Sequence, residues 1–196
     1  MSAIRMTNLA WTRRTTHGSS LARTILRLDH AGEAGAVRIY RAQIAWAARR
    51  FPDLLPFLTD TLGHEERHAR LFERLLVERG GRACPALFVW TWGGAALGFL
   101  TGMLGRRAVL VCTEAVERTV HRHMQEQVLE LETVDPEAAA VIGEIMAEEA
   151  GHLATARAGQ GAPSAGAAAL DAFIAAVTEA LVWTGMWAAQ LSGGRP

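Results

Sequence analysis

The feature that most constrains this chain is a set of acidic and histidine residues that occurs twice at one spacing. Glu33, Glu65 and His68 recur as Glu117, Glu149 and His152, each 84 positions after its counterpart. Because residues i and i+3 of a helix share a face, each Glu-x-x-His directs a carboxylate and an imidazole to one point. Two such pairs and two single glutamates, all projecting inward, are the ligand set of a di-iron or di-manganese carboxylate helix bundle.

One Glu-x-x-His alone is weak evidence for a metal site, because such a pair also occurs on the solvated face of a helix. The alternative here is a duplicated helix pair whose glutamates are ordinary surface charges. Glu33 and Glu117, however, lie in the apolar stretches Ala-Gly-Glu-Ala-Gly-Ala and Thr-Glu-Ala-Val-Glu. A carboxylate on a buried face is costly unless it is paired or binds a metal, so the pattern favours a metal site.

Length and composition restrict the class of protein. A chain of 196 residues is long enough for one domain with a substantial core. The net charge is zero, which gives no indication of a nucleic acid partner. Cys84 and Cys112 lie in apolar surroundings without a metal-binding spacing, so we expect two free thiols.

Helical periodicity extends over most of the sequence and predicts an all-α protein. The internal repeat covers residues 20–80 and 106–158, with predicted helices at 20–50, 53–79, 106–132 and 136–158. Residues 20–192 are expected to form a single ferritin-like four-helix bundle domain. Residues 1–19 are expected to form a flexible basic N-terminal arm; a short organelle transit peptide and an arm that contacts anionic lipid headgroups are both compatible with them.

Two apolar segments fall outside the repeat. Residues 83–105 contain no charge and are long enough to span a bilayer. A single crossing would place the two halves of the metal site on opposite sides of a membrane, so we interpret this segment as the crossover helix that a ferritin-like bundle needs. The second segment, the C-terminal helix at 167–191, has only Asp171 and Glu179 as charges. The lipid surface is the favoured cover for both helices, and core plus dimer interface is the alternative.

Several ordered motifs resemble those of the demethoxyubiquinone hydroxylases, the ferritin-like di-iron monooxygenases of ubiquinone biosynthesis. The motifs are Asp29-His30-Ala31-Gly32-Glu33 with Arg38-Ile39-Tyr40, Glu65-Glu66-Arg67-His68, Cys112 to Glu117 with His123, and Glu148-Glu149-Ala150-Gly151-His152. The resemblance covers about residues 23 to 192. The chain has Ala34 and Met124 at positions where family members often have Tyr, which bears on the route of reduction more than on the metal ligands.

The resemblance implies an activity and a location. Two Fe2+ ions would be held by Glu33, Glu65, His68, Glu117, Glu149 and His152, with O2 as co-substrate and no catalytic residue beyond this metal site. The substrate would be a polyprenyl benzoquinol of the 2-polyprenyl-3-methyl-6-methoxy-1,4-benzoquinol type. The protein would contact the cytoplasmic side of a bacterial inner membrane peripherally. Its partners would be further copies of itself or a ubiquinone-biosynthesis complex, and no nucleic acid.

Neighbouring residues and rival functions complete the expectations. Asp29, His30, Glu114 and His123 are candidates for orienting the ligands, whereas His64 is expected at the surface. The alternative is that the chain is another kind of ferritin-like di-iron protein, namely an oxidase, a peroxide-reducing protein or an iron-handling protein. A peroxide reductase of that kind usually carries a Cys-x-x-Cys iron domain, which this sequence lacks. A quinone-binding accessory protein with a decayed site is disfavoured by the six intact ligands.

Overall fold

The architecture is all-α, as predicted. The structure is a computed structural model that describes residues 3–192, with side chains described for 20–186, and this part of the chain holds no strand. The helices are α1 (Ala3–Arg50), α2 (Leu55–Glu78), α3 (Leu87–Leu104), α4 (Arg106–Leu131), α5 (Pro136–Gly159) and α6 (Ala165–Ser192), with a 3-10 turn at Pro52–Leu54. Helix α1 includes most of residues 1–19, the segment predicted to be a flexible basic arm. The side chains of residues 1–19 lie outside the described residues, so the flexible basic arm remains a prediction.

The helix ends form where the sequence indicates. Gly80, just after α2, has a φ of 67°, a left-handed conformation that favours glycine and ends the helix. Helix α5 begins at Pro136, and the side chain of Asp135 accepts a hydrogen bond from the backbone N–H of Ala138 at 3.2 Å. The Asp135 carboxylate also accepts a 2.7 Å hydrogen bond from the Arg79 guanidinium. This ion pair joins the end of the first helix pair to the corner of the second.

Four helices form the bundle, and their buried residues establish their directions. One apolar cluster contains Leu26, Phe72, Met124 and Ile142, and another contains Tyr40, Leu58, Leu110 and Ala156. Helices α1 and α5 therefore run in one direction, while α2 and α4 run in the other. Because α2 and α4 are parallel, the chain between them must return along the bundle, and α3 provides this return. This confirms the ferritin-like bundle with a crossover helix.

Helix α3 approaches α1 unusually closely because it carries glycines at every fourth position. A Cβ atom at Gly94 would lie 2.3 Å from the carbonyl oxygen of Gly35, and one at Gly98 would lie 2.3 Å from that of Ile39. Gly102 is likewise pressed against the Trp46 side chain. Small residues at this spacing let two helix backbones meet with no side chain between them.

Gly98→Ala is expected to destabilise the protein by about 1–3 kcal/mol, because the new methyl group forces α3 away from backbone atoms that cannot yield. The matched control is Gly93→Ala on the same helix, where a Cβ atom has no neighbour within 4 Å. Gly93→Ala should be neutral or slightly stabilising, because alanine has the higher helix propensity. Urea unfolding followed by circular dichroism measures both effects, and equal stability of the two variants would contradict this account of the α3–α1 contact.

Helices α3 and α6 present apolar side chains to the outside. Both are long and apolar enough to cross a membrane. Exposed residues on these helices include Phe88, Trp92, Phe99, Leu100, Leu104, Phe173 and Trp183. Trp90, two positions before Trp92, is instead buried against Leu28 and Val182. The two acids of α6 point to the bundle, where Asp171 pairs with Arg118 and Glu179 with Arg122 of α4. The apolar face of α6 is therefore directed away from the bundle.

Candidate metal centre

A layer of carboxylates and imidazoles crosses the middle of the bundle. Each bundle helix contributes one glutamate to this layer. Seven positions before and seven positions after that glutamate, the helix has a buried residue, one in each of the two apolar clusters. The four series are Leu26, Glu33, Tyr40; Phe72, Glu65, Leu58; Met124, Glu117, Leu110; and Ile142, Glu149, Ala156. Seven residues are two helical turns, so all members of a series share the inward face. The polar layer is thus closed above and below by apolar side chains.

The structure brings all six predicted ligands together. They are almost completely excluded from solvent, and none is more than 5% exposed. Their potential ligand atoms form two groups, within each of which all atoms lie within 4.8 Å of one another. The first group is Glu33, His68 and Glu149, and the second group is Glu65, Glu117 and His152.

Each group draws on both halves of the repeat. Glu65, from the first half, lies with the single glutamate and the histidine of the second half, and Glu149 lies with those of the first. Glu65 and Glu149, the glutamates of the Glu-x-x-His pairs, are therefore each grouped with ligands from the other half of the repeat. Each of these two glutamates would therefore hold an ion together with ligands from the other half of the repeat.

Burial makes negative charge costly in this layer. Burial, with smaller contributions from neighbouring glutamates, holds the pKa of Glu33, Glu117 and Glu149 well above its usual value. Burial also raises the pKa of Glu65 to about 7 and lowers the pKa of His152 to about 4. Four glutamates gathered in one interior layer thus disfavour ionisation unless a cation neutralises them.

The unpaired atoms of the layer match a cation. Within the described part of the chain, five buried ligand atoms have no hydrogen-bond partner: Glu33 Oε2, Glu65 Oε1, Glu149 Oε2, His68 Nδ1 and His152 Nδ1. Buried polar atoms in proteins are nearly always paired, so a cluster of unpaired acceptors calls for an electrophile. Carboxylate oxygens with imidazole nitrogens suit iron or manganese, so the residues present fit a two-ion centre.

Three residues that sequence reasoning did not assign to the site contact the ligands. The Tyr40 hydroxyl donates a 2.7 Å hydrogen bond to Glu117 Oε1. His64, which was expected at the surface, is partly buried with a side chain 29% exposed, and its Nδ1 lies 2.9 Å from the Nε2 of His152. Glu148 Oε2 lies 2.9 Å from the Nε2 of His68. The available signal was positional, since Tyr40 lies seven residues after Glu33 and the other two immediately precede the paired glutamates.

Of the four residues predicted to orient the ligands, three have other partners among the described residues. Asp29 Oδ1 accepts a 2.9 Å hydrogen bond from Gln127 Nε2. Glu114 is directed to the end of α5, where it accepts hydrogen bonds from Arg157 at 2.9 Å and from Gln160. His123 contacts Glu179 of α6 at 3.2 Å. His30 is buried, its Nδ1 has no partner, and burial lowers its pKa. None of these contacts reaches a ligand atom.

A cavity of about 150 Å³ adjoins the carboxylate layer on the side of α3 and α6. A cavity of this volume in another protein takes up one benzene molecule. Its wall includes the four layer glutamates, four further polar residues and many apolar side chains. The polar residues are Asp29, His123, Gln127 and Thr178, and the apolar wall includes Leu28, Ile39, Trp90, Leu97, Val116, Met124, Leu181 and Val182. The cavity can therefore place one apolar ring beside the ligands.

Cys84 and Cys112 are both free, as predicted, and Cys112 is buried. Burial raises the pKa of the Cys112 thiol to about 12, so it stays protonated and unreactive. Neither cysteine belongs to a ligand group.

Comparison with known proteins identifies relatives. A family model described as ubiquinone biosynthesis protein COQ7 matches residues 20–185. The 3-demethoxyubiquinol 3-hydroxylase of Rhodospirillum rubrum is 40% identical over 111 residues, which are 56% of this chain and 51% of that protein. The NADPH-dependent 3-demethoxyubiquinone 3-hydroxylase, mitochondrial, of Homo sapiens is 36% identical over 113 residues, 58% of this chain and 51% of that protein. The chain spans about half the length of these curated relatives.

Proposed function

The chain belongs to the family of the ubiquinone biosynthesis protein COQ7, and from this premise we propose that it is a di-iron monooxygenase that hydroxylates the ring of a demethoxyubiquinol. The observation that carries the proposal is the contact between the carboxylate layer and the ring-sized cavity. Glu33, Glu65, Glu117 and Glu149 belong to both. A substrate ring in the cavity would lie directly beside the metal ligands.

The six layer residues would hold two Fe2+ ions, with three residues available to each ion. When bound, the iron pair would supply the chemistry by which one oxygen atom of O2 enters the ring as a hydroxyl group and the other leaves as water, with two electrons and two protons taken from an external reductant. The chain contributes the geometry: Tyr40 fixes the carboxylate of Glu117, and the apolar clusters on either side of the layer exclude bulk water.

The polar part of the cavity wall suits the hydroxyl groups of a quinol. The hydrogen bond between Asp29 and Gln127 leaves Asp29 Oδ2 and Gln127 Oε1 buried without a partner. Both residues line the cavity, so two acceptors face a space that is otherwise mainly apolar. A quinol hydroxyl that donates to either atom would orient the ring.

Asp29→Leu is expected to lower kcat/KM for the quinol about tenfold or more, because the substrate hydroxyl loses its acceptor. The control is Asp29→Asn, whose one amide oxygen can replace Oδ2 when its NH2 group donates to Gln127 Oε1, and which should retain most activity. Steady-state kinetics with a short-tailed quinol, together with iron content, make the test. Loss of iron from Asp29→Leu would contradict the assignment, because it would mean that Asp29 supports the metal ligands instead.

The outer helices provide an apolar route for the polyprenyl tail. The cavity wall includes Trp90 and Leu97 of α3 and Leu181 and Val182 of α6, and the opposite faces of these helices are exposed and apolar. Each buried CH2 group of a tail contributes about 0.8 kcal/mol, so a substrate held in lipid would be reached most easily by a protein lying on the bilayer. The proposed location is therefore the cytoplasmic side of a bacterial inner membrane.

The double variant Trp92→Ser, Phe99→Ser is expected to lose most binding to lipid vesicles while keeping its iron. Both side chains are largely exposed on α3, at 76% and 51%, so they contribute apolar contact with lipid and little to the core. Flotation with vesicles and iron analysis measure the two effects. If the wild type does not bind vesicles but forms a dimer, and the double variant is monomeric, a second copy of the chain covers these helices. If the wild type instead binds another ubiquinone-biosynthesis protein, the helices contact a complex.

Complementation tests the proposed reaction. The gene is expressed in a bacterial strain blocked at the demethoxyubiquinone step, and quinones are measured by mass spectrometry. Restored ubiquinone with the wild type, and none with Glu117→Ala, is the expected result. Accumulated demethoxyubiquinone despite folded, iron-loaded protein would contradict the proposal. Iron far above two ions per chain would favour the storage alternative.

A further inference from the structure

Two residues at equivalent places in the repeat contact the outer nitrogens of the histidine ligands. His64 and Glu148 are 84 positions apart, and each immediately precedes a paired glutamate. Each contacts the histidine of the opposite half: His64 Nδ1 lies 2.9 Å from His152 Nε2, and Glu148 Oε2 lies 2.9 Å from His68 Nε2. The inner Nδ1 atoms of both ligands have no hydrogen-bond partner and lie 3.5–3.8 Å from carboxylate oxygens of the layer.

Metal binding at these inner nitrogens determines the direction of both hydrogen bonds. A neutral imidazole that coordinates through Nδ1 carries its proton on Nε2, so His68 and His152 must donate outward. Glu148 accepts with a carboxylate oxygen. His64 accepts with Nδ1, which places its own proton on Nε2, the nitrogen 3.9 Å from Asp60 Oδ1.

The two acceptors differ in strength. An anionic carboxylate accepts a shorter and stronger hydrogen bond than a neutral nitrogen does, and it makes the donating imidazole a better metal ligand. Arg67 forms an ion pair with Glu148, which fixes the carboxylate in place. The residue 84 positions after Arg67 is Gly151, so the repeat does not place a second guanidinium at the equivalent position beside His64.

We propose that His64 and Glu148 are positioning residues that make the two metal positions unequal. The first group (Glu33, His68 and Glu149) holds its ion more tightly than the second group (Glu65, Glu117 and His152), because only His68 donates to a carboxylate. This inference depends on the metal centre of the proposed function. Its consequence is an ordered assembly, in which the position beside His68 fills first.

Titration of the metal-free protein with Mn2+ tests the proposal, with calorimetry and the electron paramagnetic resonance signal of the free ion as readouts. The wild type should bind two ions in two steps. Glu148→Gln keeps an acceptor oxygen but removes its charge, and it should weaken the tighter step roughly 10- to 100-fold. His64→Leu removes the acceptor and should weaken only the second step, whereas His64→Gln, with an amide oxygen, should restore it. Both side chains are partly exposed, at 29% and 40%, so the variants should keep their helical circular dichroism spectrum.

The inference is overturned if both substitutions weaken the same step, or if neither changes either step. Fewer than two Mn2+ ions bound by the wild type would contradict the metal centre and this inference with it. Two unequal steps with the expected variant effects, in a protein that fails to hydroxylate quinols, would contradict the proposed reaction alone.

Discussion

Glu149→Gln is expected to abolish binding of the metal ion in the first ligand group and reduce quinol hydroxylation to background, while leaving the metal-free protein at least as stable as the wild type. Glu149 is buried, lies in the first ligand group and lines the cavity. Its carboxylate would hold an ion with a negatively charged oxygen, whereas an amide of the same shape supplies only one neutral oxygen. In the absence of metal, however, burial and four neighbouring acids make its charge unfavourable, so the neutral amide relieves a cost.

Iron content, quinone mass spectrometry and thermal unfolding separate these effects. Glu144→Gln is the control, because Glu144 is exposed on the same helix and should leave all three measurements unchanged. A variant with less activity and a lower melting temperature would mean that Glu149 stabilises the fold without metal. Full hydroxylation by Glu149→Gln would contradict the site.

The ligand set could be predicted because it follows from the spacing of residues within single helices. Glu65 and His68 are three residues apart, so helical geometry alone places them on one face, and the 84-residue repeat pairs them with Glu149 and His152. The crossover was predicted on a different ground, since a membrane span at residues 83–105 would separate the two halves of the site, whereas a ferritin-like bundle needs a long connection between its helix pairs.

Contacts between helices could not be predicted in the same way. The contact of Glu148 with His68, and that of His64 with His152, depend on how α2 and α5 face one another, which no spacing within one helix records. The partners of Asp29 and Glu114 were missed for the same reason. Glu114 has the correct spacing before Glu117, but Arg157 and Gln160 from the end of α5 bind it elsewhere.

The apolar helices illustrate a different limit. Composition predicted that α3 and α6 are apolar, but it could not tell which of their side chains face the bundle. Trp90 and Trp92 are two residues apart and lie on different sides of α3, one buried and one 76% exposed. The glycines decide this, because α3 can approach α1 only on the side that carries Gly94 and Gly98.

Raising the pH from 6.5 to 8 is expected to lower the unfolding free energy of the metal-free protein by a few kcal/mol and to have little effect on the Mn2+-loaded protein. Asp29 and Glu65 have pKa values of about 7 in the folded state, and those of Glu33, Glu117 and Glu149 lie well above 4.5. The unfolded chain has released these protons below pH 6.5, so the folded state binds more protons across this window. Stability then falls by about 1.4 kcal/mol per pH unit for each additional proton bound.

The pH range matters because the buried histidines change the unfolding free energy with pH in the opposite direction to the buried acids. Burial lowers the pKa of His68 and His152, so they contribute stability that is lost as the pH falls from 6.5 towards 4. Above pH 6.5 both are neutral in the folded state, and the unfolded histidines lose their remaining charge, which opposes the effect of the acids by only about 0.4 kcal/mol per histidine up to pH 8. Bound Mn2+ displaces the glutamate protons and removes most of the difference. Urea unfolding at pH 6.5 and at pH 8 measures the change in unfolding free energy. Metal-free Glu149→Gln should lose less stability over this range than the metal-free wild type. A metal-free wild type that gains stability from pH 6.5 to 8 would mean that these carboxyl groups are already ionised in the folded protein.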